Sequence, residues 1–210
     1  MEDVLDLYQQ PYDPLRPVVC MDELCKELHG DVRESLPARS GKLKRIDSEY
    51  RRNGTANVFL FTEPLKGWRR AFVTEQRTRI DWARVVKVVL DEVYPDAQVV
   101  RLVMDNLNVH SLGSLYQAFA PDEARRLAKR LEIHYTPRHG SWLNIAEIEF
   151  RALAGQCLDR RIPDRLTLTR EVAAWEADRN ARTVGVDWQF TTDDARTKLK
   201  RLYPVPLSAK

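Results

Sequence analysis

The chain has 210 residues, 43% of them hydrophobic, with 34 Lys and Arg against 31 Asp and Glu, a net charge of +3. That length suits one domain, or one domain with an appendage, and the apolar fraction argues against a disordered chain. A net charge this small does not by itself announce a nucleic-acid binder, but the basic residues are unevenly spread.

The three cysteines, Cys20, Cys25 and Cys157, have no regular spacing and form no CxxC pair. They argue against a disulfide framework and a structural zinc site and fit a reduced, cytoplasmic setting. The N-terminal MEDVLDLYQQPYDP has no basic region and no apolar stretch, unlike a signal peptide. No apolar run approaches the ~18 residues of a membrane span, so a soluble protein with no membrane partner is expected.

In chain order, Asp3 to Tyr8 reads as a short helix followed by a linker broken at Pro11, Pro14 and Pro17. Residues 1–16 are therefore expected as a linker or N-terminal extension. Val18 to Glu23 is a short apolar run ending on carboxylates, predicted as a buried strand. Residues 24–53 are polar, with Gly30, Pro37 and Gly41, and read as a loop-rich insertion. Asn57 to Thr62 and Gly67 to Thr74 are predicted strands joined by a hairpin. From Thr78 to Tyr94, Ile80, Ala83, Val86, Leu90 and Val93 recur at helical spacing until Pro95.

Val99 to Met104 is a further strand that ends on Asp105. Two short helices, near 111–119 and 121–130, lead to a fifth strand, Leu131 to Tyr135. Ser141 is the expected cap of a helix running to about Leu158. Helices over Thr167–Ala181 and Thr192–Leu202 complete the domain, expected over 17–203, with 204–210 as a tail. The order of strands and helices predicts an α/β fold with a mixed five-stranded sheet flanked by helices.

Two strand-end carboxylates, Asp22 and Asp105, and Glu147 from a nearby helix are candidates to converge, because functional groups of α/β sheets gather where strands end. Mg²⁺ takes oxygen ligands and usually only one or two carboxylates per ion, so three carboxylates suffice for two ions about 3.5–4 Å apart. Such a pair activates a water or a 3′-hydroxyl on one side of a phosphodiester and stabilises the leaving oxygen on the other. Val99 to Asp105 also has the form of a nucleotide-binding strand, but no GxxxxGK[ST] accompanies it.

Three motifs stand in order: Cys20-Met21-Asp22-Glu23, Met104-Asp105-Asn106-Leu107-Asn108-Val109-His110, and Pro137-Arg138-His139-Gly140-Ser141-Trp142-Leu143-Asn144-Ile145-Ala146-Glu147. Together they resemble the DDE transposases of bacterial insertion sequences related to the mariner elements. Arg51 to Asn57 resembles that family's second-strand signature. The third box departs from the pattern at Ile145-Ala146, where Pro-Ile is usual, and 41 residues separate Asp105 from Glu147, more than in the animal mariner relatives.

The resemblance implies a ribonuclease-H-like fold, Mg²⁺ or Mn²⁺ (two ions), strand cleavage at transposon ends and strand transfer into target DNA. It implies Asp22, Asp105 and Glu147 as catalytic metal ligands, with Asn106, His110 and Asn144 in support. It also implies an upstream helix-turn-helix region that reads the transposon ends, a homodimer when active, and action at a bacterial nucleoid. No such region precedes Asp22, so the chain is expected to be a fragment, a split-frame product or a degenerate copy. A host nuclease of the same fold and an inactive or domesticated DNA-binding remnant fit the same motifs.

Candidate DNA contacts are Lys42, Lys44, Arg45, Arg51 and Arg52 in one basic cluster, and Arg138 and Trp142 beside the third motif. Arg151, Arg160, Arg161 and Arg165 form a second basic set. Phosphate neutralisation by such groups gives weak, salt-dependent binding with little sequence preference. His139 either touches phosphate or caps a turn, and His134 is read as structural.

Glu147 and Glu149 compete for the third ligand position. They point roughly 200° apart on a helix, and Glu147 shares a face with Leu143 and Asn144. Glu147→Gln is expected to abolish cleavage in a folded protein, and Glu149→Gln to retain most of it, as a metal-dependent cleavage assay reads directly.

Overall fold

A computed structural model describes residues 1–34, 36–43, 45 and 47–203. Five strands form one mixed sheet in the order β3-β2-β1-β4-β5. They are β1 (Val18–Asp31), β2 (Tyr50–Glu63), β3 (Trp68–Thr74), β4 (Val100–Met104) and β5 (Leu131–Tyr135). β2 runs antiparallel to β1 and β3, while β1, β4 and β5 are parallel. With helices on both faces, this is the expected ribonuclease-H-like arrangement.

Alternation along the strands builds two faces. Val19, Met21, Phe59, Phe61, Leu102 and Met104 point toward α2 (Arg79–Val88), α3 (Leu112–Ala118) and α4 (Pro121–Ala128), where Trp82, Leu115 and Leu127 meet them. On the opposite face, Val58 and Leu60 pack on Leu153 of α5 (Ile145–Leu153) and Leu168 and Val172 of α6 (Arg165–Ala181). Thr78 caps α2 with a reciprocal capping box to Asp81. Val89–Val93 continues that helix as a π turn that stops short of Pro95.

Several expectations change. β1 does not stop at Glu23: it runs to Asp31 and pairs with β2 as far as Tyr50, so much of the expected insertion over 24–53 is a long hairpin. Its polar side chains face solvent, and backbone pairing with β2 sustains the strand. Asp22 accordingly lies within β1. It stands two residues past Cys20, which makes the last rung with Val103 of β4.

The N-terminal segment is not a detached linker. Helix α1 (Glu2–Tyr8) buries Val4, Leu5, Leu7 and Tyr8 against Val18, Cys20, Val103, Leu143, Ile145 and Ala195, the last from α7 (Thr192–Lys198). Tyr8 Oη donates to the Leu143 carbonyl at 2.7 Å. Lys44 and residues 204–210 lie outside the described residues. Among those described, no helix is long and apolar enough to cross a membrane.

Helix α5 is fixed from both ends of its first two turns. Its cap is Asn144, not Ser141, which opens a single 3-10 turn instead. Asn144 Oδ1 accepts from Ala146 N (3.2 Å), and its Nδ2 donates to the Met21 carbonyl of β1 (2.8 Å). One buried amide thus caps the helix and ties it to the strand beside Asp22. On the other side, Glu149 is 1% exposed and sits between two arginines. Arg179 Nη2 and Nε donate to it at 2.9 and 3.1 Å, and the fully buried Arg69 Nε lies 3.1 Å away.

The sequence reading put Glu149 away from the site but did not foresee that triad, which gives the side chain a structural role. Removing one member of a buried ion pair strands the partner charges and costs about 3–5 kcal/mol. Glu149→Gln should therefore lower the unfolding free energy read from urea denaturation by an amount in that range; a change within experimental error contradicts the triad. Asn144→Asp keeps the acceptor for Ala146 N but faces a carbonyl with no donor, and should cost about 1–3 kcal/mol in the same measurement.

Candidate active site

Three elements bring acidic side chains together beside the central strands β1 and β4. Asp22 projects from β1 on the face that Cys20 and Leu24 share, the face covered by α5. Asp105 is the first residue after β4, and continuing the β1–β4 register sets it beside Asp22. Glu147 lies in the first turn of α5.

The electrostatics report their proximity. The Asp22 carboxyl is pushed up to about 7, chiefly by burial, and the charges of Asp105, Glu147 and Glu23 raise it further. The Glu23 backbone N–H, which donates to Asp22 Oδ1 at 2.8 Å, works in the opposite direction. Among the described residues, no three His, Cys, Asp or Glu side chains are drawn closely enough to grip one ion. Like charges repel, and closing such a group on a point needs a cation.

His110 stands behind Asp105 with its side chain fully buried. Its Nδ1 donates to Asp105 Oδ1 at 2.5 Å, and its Nε2 lies 2.7 Å from Glu23 Oε2, off the line of a good hydrogen bond. Burial alone would push the imidazole down, but the two carboxylates carry it up to about 9. A ring flanked by carboxylates on both nitrogens is held as the imidazolium. Arg77 Nη1 approaches the far oxygen of Glu23 at 3.7 Å, and Tyr135 Oη donates to the His110 carbonyl at 2.7 Å.

Glu23 is the residue that sequence reasoning passed over. Its signal was present: strand alternation sends Glu23 to the side opposite Asp22, where His110 waits.

The other expected residues divide. Asn144 is buried as the cap of α5. Asn106, Arg138 and His139 line an open cleft of about 660 Å³ that also contains Asp105. The loop there turns tightly: His139 has φ 61°, and a Cβ on Gly140 would come within 2.6 Å of Pro137 Cγ. Trp142 is 40% exposed, but one face is taken: it stacks on Trp188 at 6.4 Å and meets Phe190 edge-on.

Arg51 and Arg52 are not at the site. Arg52 pairs with His29, seven residues beyond Asp22 along β1, roughly 23 Å at about 3.3 Å per residue. Lys42 and Arg45 lie exposed near the tip of the same hairpin, in the bridges Arg39↔Lys42 and Leu36↔Arg45.

Residues 17–169 match the family model of the DDE superfamily endonucleases. No curated protein sequence matches significantly. Among solved structures, the Mos1 mariner paired end complex with Mn superposes with a TM-score of 0.58 at 14% identity, over 87% of this chain and 55% of that one. The Mos1 strand transfer complex gives 0.58 at 13% identity, over 87% and 54%. A pre-cleavage Mos1 transpososome gives 0.55 at 13%, over 90% and 60%. This chain thus spans little more than half the length of those proteins, and at such identity the likeness is one of fold. With the family model covering most of its length, this chain belongs to the DDE superfamily endonucleases.

Proposed function

We propose that the chain is the catalytic domain of a DNA transposase that cuts phosphodiesters at transposon ends and joins the freed ends to target DNA. The observation that carries this reading is the gathering of Asp22, Asp105 and Glu147 from β1, the end of β4 and α5, with the Asp22 carboxyl raised chiefly by burial and further by the charges of the other two. Family membership and the likeness to transposase–DNA complexes support it.

The donor set fits divalent cations. All three groups are hard oxygen donors suited to Mg²⁺ or Mn²⁺, and their repulsion is what a cation relieves. In this reading Asp22, Asp105 and Glu147 hold two ions. Once bound, such a pair supplies a stronger nucleophile and charge stabilisation for the leaving oxygen.

The chain's own residues set the geometry. The Glu23 N–H orients Asp22, and His110 occupies Asp105 Oδ1, leaving Oδ2 free to serve as a ligand. Asn144 and Glu149 fix the helix that presents Glu147. In cleavage, water adds to phosphorus and the strand leaves as a 3′-hydroxyl. In joining, that hydroxyl attacks a target phosphodiester and a target 3′-oxygen leaves.

The reading extends to partners: transposon-end and target DNA, a helix-turn-helix region encoded upstream for end recognition, and a second copy of the chain. The setting is the nucleoid of a bacterial cell.

The test joins binding to chemistry. Millimolar Mg²⁺ or Mn²⁺ should raise the melting temperature, because ligand binding stabilises the folded state, and Asp105→Ala should abolish the rise. With Mn²⁺ the wild-type chain should join a labelled 3′-hydroxyl duplex to plasmid DNA, and Asp105→Ala should not. Cutting without joining would mark a nuclease. A melting curve unmoved by metal, with no cutting, would overturn the reading. Binding to random duplex DNA, followed by fluorescence anisotropy, should be weak and fall steeply with salt; tight selection of one sequence would contradict this.

A further inference from the structure

The second basic set is mostly committed elsewhere. Arg160 pairs with Glu171. Arg161 pairs with Asp31 at 2.8 Å and donates to the carbonyls of Asp47, Ser48 and Glu49. Arg165 reaches Glu75 at 3.1 Å. Arg151 is exposed and, among the described residues, has no carboxylate partner. It follows Glu147 by four residues on α5, so the two share a face about 6 Å apart along the helix.

Arg151 lines an open cleft of about 550 Å³ between β1 and the end of α5. Leu24, on the same face of β1 as Asp22, forms its near wall. Lys26 stands further along, its Nζ held by the Leu158 carbonyl at 2.9 Å with two ammonium protons to spare. Gly155 adds no bulk: a Cβ there would meet nothing within 4 Å.

The cleft that contains Asp105 and Asn106 is lined instead from the end of β5 and the loop after it, on the side of β4 away from β1, and its cation is Arg138. Arg138 is exposed and also lacks a carboxylate partner among the described residues. Two uncommitted guanidiniums therefore flank one acidic centre, each in its own open cleft. Phosphates of one DNA strand recur every 3.4 Å of helix axis, so the offset of Arg151 from Glu147 corresponds to about one or two phosphates along a strand.

We propose that Arg151 and Arg138 bracket the reacting phosphodiester, with the strand crossing the three carboxylates from one cleft to the other. Arg151, assisted by Lys26, takes a phosphate on one flank of the cleaved bond, and Arg138 takes one on the opposite flank. This rests on the transposase reading, since it needs the chemistry to occur at Asp22, Asp105 and Glu147.

The test couples protein and DNA substitutions. The bond cut by the wild-type chain with Mn²⁺ is mapped on a labelled duplex. Single phosphates on either flank are then replaced by neutral methylphosphonates, and cleavage rates are measured for wild type, Arg151→Ala and Arg138→Ala. Each variant's melting temperature serves as the folding control. Loss of one charge-assisted phosphate contact should slow the wild type about tenfold.

On one flank that penalty should vanish in Arg151→Ala and persist in Arg138→Ala; on the other flank the pattern should reverse. Both arginines coupling to the same flank, or neither coupling while wild type cleaves, overturns the bracketing alone. A folded wild-type chain that cuts nothing in Mn²⁺ sinks the transposase reading itself, and the bracketing falls with it.

Discussion

The partial burial of three mutually repelling carboxylates beside the central strands of the sheet is the constraint around which the candidate site is arranged. Asp22 carries the clearest mark of it, a carboxyl pushed up to about 7 by burial and by its acidic neighbours. Side chains so placed would turn outward to water unless held. Each carboxylate has a hold of its own: a backbone N–H for Asp22, an imidazolium for Asp105, and a doubly anchored helix for Glu147. Ordering these side chains in advance would reduce the entropy lost on binding a cation or phosphate.

The supporting charges are themselves supported. Glu149 is nearly inaccessible, yet Arg69 and Arg179 surround it, and Asn180 Oδ1 accepts from the Arg69 backbone N–H at 2.9 Å. On the other face of the sheet, His110 lies between Asp105 and Glu23, with Trp82 at 6.1 Å. Buried ion pairs contribute little net stability but are costly to break. They therefore act to hold β1, the end of β4 and α5 in one relative placement, which a site built from three separate elements requires.

Much of this was legible in the sequence. The five strands and their order followed from apolar runs, and the three acidic motifs stood out by position. The departures have physical causes. β1 was cut short at Glu23 because an exposed hairpin held by backbone pairing leaves no apolar signature. The cap of α5 went to Ser141 because a serine before an apolar run has the same signature as Asn144, and only the 3-10 turn between them separates the two. The short helix over Asp3 to Tyr8 was foreseen, but its docking was not: seven residues show too little periodicity to mark a buried face, although Val4, Leu5, Leu7 and Tyr8 all turn inward. The partners of Glu149 come from distant segments, and local spacing carries no trace of them; for Glu23, strand alternation gives the side on which it stands but not its partner His110.

The central claim, that Asp22, Asp105 and Glu147 hold the catalytic metal, is tested most directly by a crystal of the chain grown with Mn²⁺ and its anomalous scattering map. Two Mn²⁺ peaks about 3.5–4 Å apart, bound by carboxylate oxygens of Asp22, Asp105 and Glu147, are expected. Peaks held by Glu23 or Glu149, or none beside these carboxylates at millimolar Mn²⁺, would contradict the account.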